Sequence, residues 1–291
     1  MWLLEAAIVP LFVGASVFYT ATGQPYAQFT SGVNLVEVYA TVTDGRGEPV
    51  ASLTAADFRI AEDGAPQAIS TFTGGEFPLA VAVGLDRSFS MGGRDNRLGV
   101  AKSAARTFVG ALRPDDQVMI VAIGGETTIV APLSAGHATV LAAIDRLDAW
   151  GTTPLYDATV GALDAIQPAR GRRALVLLSD GTDRYSDTKA ADLVDRARRH
   201  DVMIYPVAVG AARPPVFAEL AAATGGRSFF VRDPAALKST MTTIARELRF
   251  QYMLGYTPSR ERAGEASWHA IDVTVTRPDL RVRARQGYVS R

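Results

Sequence analysis

Three oxygen-bearing side chains follow one apolar run of the sequence. Residues 79–85 are almost all apolar, and Asp86, Ser88 and Ser90 come directly after them. A run of this kind is typical of a strand that is buried on both faces of a parallel sheet. Ligands of open α/β sheets bind at the carboxyl ends of the strands. Hard oxygens that converge there favour a divalent cation such as Mg²⁺ or Mn²⁺.

Two later stretches supply further oxygens. Thr153 lies in the turn Gly-Thr-Thr-Pro, and Asp180 follows a second apolar run at residues 175–178. Considered alone, Asp86 would be interpreted as a helix cap, and Ser88 would be interpreted as a turn residue. Because five oxygen-bearing side chains follow or lie between these strands, we predict a metal site.

These three motifs together resemble the von Willebrand factor type A (VWA) domain and its metal-ion-dependent adhesion site (MIDAS). The resemblance covers about residues 77–248. It implies that Ser88, Ser90 and Thr153 bind the ion directly, whereas Asp86 and Asp180 act mostly through water. It also implies that one coordination position stays open for a carboxylate of a bound protein.

The sequence departs from the family pattern beside the two serines. Arg87 and Phe89 occupy positions where small residues are usual, and Thr152 replaces a glycine. None of these changes removes an oxygen ligand. Phe89, however, places an aromatic ring next to the predicted ion, where it either contacts the partner or partly covers the metal.

Apolar strand patterns alternate with helical patterns over residues 77–248. This alternation predicts βαβ units and therefore an α/β fold with a doubly wound, mostly parallel sheet. The flanking residues 33–76 and 249–291 have alternating strand patterns instead. Each flank is too small to close a core by itself. We therefore predict that both build one small β-sandwich-like module in which the VWA domain is inserted.

Short motifs in the N-terminal flank, residues 33–76, resemble one subgroup of VWA proteins. The Val-Thr-Asp pattern that starts at Val42 and the pair Asp57-Phe58 resemble bacterial VWA-related proteins of the acidobacterial type. Residues 1–23 are mostly apolar and resemble a signal peptide, with an uncleaved anchor and a buried helix as the alternatives. Residues 24–32 are polar and are interpreted as a linker. An exported protein, either secreted or associated with the cell envelope, is the prediction.

The amino-acid composition argues against several kinds of function and of structural site. The formal net charge is +0, which gives no support to nucleic-acid binding, and the absence of cysteine excludes disulfides and thiolate metal sites. The three histidines lie far apart in sequence, so surface or helix-end roles are expected. Three arginines alternate near the C-terminus and predict a solvated strand edge, with an anionic partner as the alternative; they are Arg281, Arg283 and Arg285.

The expected function is binding of a protein that presents an Asp or Glu to a bound Mg²⁺, Mn²⁺ or Ca²⁺, in adhesion or envelope assembly. A membrane contact is expected only through an N-terminal anchor. No base, nucleophile and oxyanion donor occur together, so no enzyme is predicted. The first alternative is a structural protein with a vestigial site that acts through its β module. The second is a metal-dependent hydrolase with Asp86 as nucleophile.

Overall fold

The computed structural model describes residues 35–75, 77–93, 95–181, 183–211, 213–259 and 266–290. The predicted signal segment and the linker lie outside these residues. Among the described helices, none combines the length and the apolar character that crossing a bilayer requires. The described strands are β1 (Val36–Thr43), β2 (Phe58–Glu62), β3 (Ala65–Gln67), β4 (Thr71–Gly75), β5 (Leu79–Asp86), β6 (Gln117–Gly124), β7 (Glu126–Ser134), β8 (Arg172–Ser179), β9 (Met203–Val209), β10 (Phe229–Val231), β11 (Gln251–Tyr256), β12 (Trp268–Val275), β13 (Arg281–Arg283) and β14 (Gly287–Val289).

The described α-helices are α1 (Arg97–Ala111), α2 (His137–Asp145), α3 (Leu155–Ile166), α4 (Ala190–Arg199), α5 (Pro215–Thr224) and α6 (Leu237–Arg249).

A six-stranded sheet forms the centre of the α/β domain, with the order β10-β9-β8-β5-β6-β7. All its strand pairs are parallel except the pair of β6 with β7, which is antiparallel. Every residue of β5 is buried, because helices cover both faces of the sheet. Helices α1, α2 and α6 pack on one face, and α3, α4 and α5 pack on the other. The predicted α/β fold is confirmed.

Two four-stranded sheets form the β module, with the orders β13-β1-β11-β4 and β14-β12-β2-β3. Each sheet pairs strands from before the α/β domain with strands from after it: β1 pairs with β11, and β2 pairs with β12. The two sheets share one apolar core, in which Phe58 and Tyr252 pack with ring centroids 5.1 Å apart. The predicted module built from both flanks is confirmed, whereas its residue limits stay predictions.

A buried polar interface joins the β module to the α/β domain. Glu247 of α6 is fully buried and accepts hydrogen bonds from Arg227 (2.7 Å) and Arg283 (2.5 Å). Arg285 pairs with Asp201 at 3.0 Å. Two of the three alternating arginines therefore bind carboxylates of the α/β domain. The expectation of a solvated basic edge is wrong for Arg283 and Arg285, because their partners lie far away in sequence.

Candidate metal centre

Neighbouring strands bring two of the predicted ligand stretches to the same edge of the sheet. Strand β5 ends at Asp86, and strand β8 ends at Ser179, one residue before Asp180. The two strands are parallel neighbours, with Leu85 opposite Leu178. Their carboxyl ends therefore lie side by side, as the sequence pattern predicts for a ligand site.

Asp86 is fully buried, and both of its carboxylate oxygens accept hydrogen bonds from neutral donors. The amide of Ser88 donates to Oδ1 at 2.9 Å, and the hydroxyl of Ser179 donates to Oδ2 at 2.6 Å. Burial raises the pKa of Asp86, the hydrogen bonds from Ser179 and Ser88 oppose this, and the charge of Asp180 raises the pKa further. A cation at this edge would favour the ionised carboxylate again.

The two serines differ in their exposure to solvent, although their hydroxyls are in contact. Ser88 is 2% exposed and Ser90 is exposed, and their Oγ atoms lie 3.0 Å apart. Oxygens that occupy adjacent positions around an octahedral Mg²⁺ ion at 2.0–2.1 Å are about 2.8–3.0 Å apart. The pair thus already has the spacing of two such ligands, on the solvent side of Asp86.

Backbone hydrogen bonds join the loop of Thr153 to both other loops. The amide of Phe89 donates to the carbonyl of Gly151 at 3.1 Å, and the amide of Arg184 donates to the carbonyl of Thr153 at 2.7 Å. Thr153 is 2% exposed, whereas Thr152 is exposed. A Cβ at Gly151, whose φ is +79°, would lie 2.5 Å from the amide nitrogen of Gly125, so this turn requires glycine.

Two polar residues beside the predicted ligands also hold this edge: Ser179, which was not predicted from the sequence, and Asp183, which the sequence left open as an outer partner of the site or a loop residue. Ser179 donates to Asp86 and accepts from the amide of Gly181 at 3.0 Å, so it holds the carboxylate in place. Its signal is a hydroxyl at the last position of an apolar strand. Asp183 accepts from the amide of Tyr156 at 3.1 Å and from the hydroxyl of Ser186 at 2.6 Å, so it anchors the start of α3.

Three exposed aromatic side chains, the aromatic rim, lie on the three loops that carry the predicted ligands. Phe89 is 66% exposed, Trp150 is 49% exposed and Tyr185 is 79% exposed. Trp150 is partly shielded, because the guanidinium of Arg87 lies 5.3 Å from its ring centroid. All three side chains therefore expose a large apolar surface to solvent beside the polar edge.

The donor set fits a hard divalent cation. It consists of two carboxylates, Asp86 and Asp180, and three hydroxyls, those of Ser88, Ser90 and Thr153, with no imidazole or sulfur among them. Oxygen-only sites of this kind suit Mg²⁺, Mn²⁺ or Ca²⁺. The three loops are held by hydrogen bonds to one another, so such a site would be largely preformed. We refer to residues 86–90, 151–153 and 179–180 as the metal edge.

The family model of the von Willebrand factor type A domain matches residues 81–182. This range begins within β5 and includes the loops of all five predicted ligands. The predicted recognition of a VWA domain is confirmed for this part of the chain. A search of curated proteins found no match.

Solved structures show the same fold at low sequence identity. The structure "von Willebrand factor type A from Catenulispora acidiphila" is 15% identical with a TM-score of 0.53, and the match covers 86% of this chain and 71% of that chain. Proximal thread matrix protein 1 from the mussel byssus, solved with a zinc occupied MIDAS motif, is 18% identical with a TM-score of 0.54. That match covers 64% of this chain and 48% of the mussel protein.

Proposed function

We propose that this protein binds another protein through a divalent cation held at the metal edge. The observation that carries the proposal is the environment of Asp86: a fully buried carboxylate, held by Ser88 and Ser179, below two serine hydroxyls at ligand spacing. Ser88, Ser90 and Thr153 are proposed to bind the ion directly. Asp86 and Asp180 are proposed to act mostly through water.

The ion is proposed to be Mg²⁺, with Mn²⁺ or Ca²⁺ as substitutes. Neutral hydroxyls in the first shell leave most of the ionic charge uncompensated, so a carboxylate from the partner is a favourable last ligand. The mussel protein carries zinc in its MIDAS motif, so Zn²⁺ belongs among the ions to be tested.

The aromatic rim suggests what surrounds the partner's carboxylate. Exposed aromatic residues are enriched where proteins bind one another, because they bury a large area when the complex forms. We propose a partner whose Asp or Glu is flanked by apolar side chains that contact Phe89 and Tyr185. A selection of peptides in Mg²⁺ should return such sequences, and replacing their acid with the amide should abolish binding.

Export and the absence of catalysis are parts of the same proposal. An adhesion or envelope-assembly role requires an exported protein, for which the apolar residues 1–23 are the support. A hydrolase would need a second carboxylate two residues after Asp86, and Ser88 stands there. Turnover of a phosphoester that Asp86→Asn abolishes would favour the hydrolase instead.

Thermal melting of metal-free protein, with and without added metal, tests the proposal. An ion at one hundred times its dissociation constant should stabilise the fold by about 2.7 kcal/mol. With Mg²⁺ or Mn²⁺ as the added ion, this increase should disappear in Asp86→Ala and in Thr153→Ala. It should persist in Asp148→Asn, a matched control that removes an exposed carboxylate from the loop that leads to Thr153.

The vestigial-site alternative predicts a different set of results. In that case millimolar Mg²⁺, Mn²⁺ or Ca²⁺ would leave the melting temperature of the wild type unchanged. Asp86→Ala protein would also bind its selected peptides as well as the wild type does. Either result, obtained with protein that melts cooperatively, would contradict the proposed function.

A further inference from the structure

Three side chains of types that commonly bind metals converge in the β module, outside the metal edge. Glu62 ends β2, Asp63 begins the turn that follows, and His269 lies on β12. The antiparallel pairing of β2 with β12 places Glu62 opposite Ile271, which brings His269 beside the turn. One ligand atom from each of the three residues lies within 4.8 Å of the other two.

The imidazole of His269 is held on both sides. Its Nδ1 lies 2.8 Å from Oδ2 of Asp63, and its Nε2 lies 2.9 Å from the hydroxyl of Ser267. Tyr288 stacks on the ring, with centroids 5.4 Å apart. When Nε2 carries the proton and donates it to Ser267, Nδ1 presents its lone pair to the two carboxylates. Outer partners of this kind fix the tautomer of metal-binding histidines.

Glu62 is a buried residue whose two carboxylate oxygens differ in their hydrogen bonding. The residue is 6% exposed, and its Oε2 accepts hydrogen bonds from the hydroxyls of Tyr256 (2.6 Å) and Tyr288 (2.8 Å). Its Oε1 accepts none from the described residues and lies 3.8 Å from Nδ1 of His269, beyond hydrogen-bonding distance. The lone pairs of Oε1 are therefore available to a cation.

We propose that Glu62, Asp63 and His269 form a second metal site, which binds Zn²⁺ through Oε1, Oδ2 and Nδ1. Ligand atoms of a tetrahedral Zn²⁺ ion lie about 3.3 Å apart, and the distances from Nδ1, 2.8 and 3.8 Å, bracket this value. An imidazole with two carboxylates suits zinc better than Mg²⁺. The ion also neutralises two adjacent negative charges, and a fourth position remains for water or an external ligand.

The site would tie together the two flanks of the chain. Asp63 and His269 are 206 residues apart, and they belong to the strands from before and after the α/β domain. Zinc is therefore expected to stabilise the β module in particular. This role does not depend on the metal edge, so the two sites can be tested separately.

The test uses chelator-treated, full-length Asp86→Ala protein, so that binding at the metal edge does not contribute. Titration with ZnCl₂, followed by calorimetry and by elemental analysis of the protein, should give one bound zinc per chain. Bound Co²⁺ should give the visible absorption of a tetrahedral nitrogen–oxygen site. One zinc should raise the melting temperature of this variant.

Further substitutions in the same protein identify the ligands. His269→Gln should lower zinc affinity at least 100-fold. Asp63→Asn should lower it as well, and asparagine tolerates the φ of +49° that Asp63 adopts. Ser267→Ala should lower it about 10–100-fold, because it removes the outer partner of the imidazole. His200→Gln is the matched control, since His200 also contacts a carboxylate, that of Asp164 at 3.1 Å. It should leave zinc binding unchanged.

Two results would overturn the proposal. One is a cooperatively folded Asp86→Ala protein that binds no zinc at micromolar concentrations. The other is wild-type zinc affinity in folded His269→Gln and Asp63→Asn.

Discussion

The interface around Glu247 and the metal edge around Asp86 are both buried and polar, but they balance charge differently. Glu247 is fully buried and is met by two arginines, Arg227 and Arg283. Asp86 is equally buried, yet its hydrogen bonds come from an amide and a hydroxyl, which carry no charge. The charge of Glu247 is neutralised by the protein itself, whereas the charge of Asp86 is left uncompensated by its hydrogen-bond donors, which is the arrangement that the proposed metal site requires.

Removing Glu247 should give the largest effect. Glu247→Ala leaves Arg227 and Arg283 without their buried partner and should lower the free energy of unfolding by about 3–5 kcal/mol. Glu48→Ala is the matched control, because Glu48 pairs with Arg246 of the same helix at the surface. Its cost should stay within about 0–1 kcal/mol in the same denaturant titration. Equal losses in both variants would mean that burial does not distinguish the two pairs.

Alkaline pH should give the second largest effect, through Tyr205, a fully buried residue of β9 that is affected by the charge of Glu247. Burial raises the pKa of Tyr205 to about 12 from 10.0, with the charge of Glu247 as a further cause. Above pH 10 the unfolded state loses this proton while the folded state keeps it. Stability should therefore fall by about 1.4 kcal/mol per pH unit up to pH 12, after which this contribution is lost. Unfolding curves of Tyr205→Phe should lack this share of the slope.

A smaller effect of opposite sign is expected at the metal edge. Burial raises the pKa of Asp86, so in the metal-free protein the ionised carboxylate destabilises the fold as pH rises through that pKa. Asp86→Asn keeps polar partners for Ser88 and Ser179 without the charge. Metal-free Asp86→Asn should therefore be more stable than the wild type at pH 7, while gaining nothing from Mg²⁺. A metal-free variant less stable than the wild type would show that the edge is a structural cluster like the interface.

The smallest effect on stability is expected at the aromatic rim. Phe89→Ala removes a side chain that is 66% exposed. The free energy of unfolding, and the stabilisation that added metal gives, should therefore each change by less than about 0.5 kcal/mol. Binding of selected acidic peptides should nevertheless weaken. Unchanged peptide affinity, measured by calorimetry in Mg²⁺, would exclude Phe89 from the partner surface.

Much of the metal edge was predictable because its signals are local. An apolar run followed by Asp86, Ser88 and Ser90 specifies a buried strand and the polar residues at its end within a dozen positions. The contribution of Ser179 was not predictable in the same way. Its hydroxyl meets Asp86, which is 93 residues away, only because β5 and β8 become neighbours in the sheet.

The β module shows the same limit more strongly. Its strands follow from alternating residues, and the need for a partner follows from the small size of each flank. The histidines and alternating arginines, however, were expected at the surface. His269 meets Asp63 across 206 residues, and Arg285 meets Asp201 across 84 residues, so neither contact leaves a local pattern.

The sequence by itself determined the α/β alternation and the recognition of a VWA domain, because strand burial and short motifs are properties of neighbouring residues; the five ligands stay predictions. Only the tertiary structure decided which carboxylates are neutralised by arginines, which hydroxyl holds Asp86, and which acids His269 contacts. The physical reason is that charge and hydrogen-bond balance depend on every group that folding brings within a few ångströms, and those groups come from distant parts of the chain.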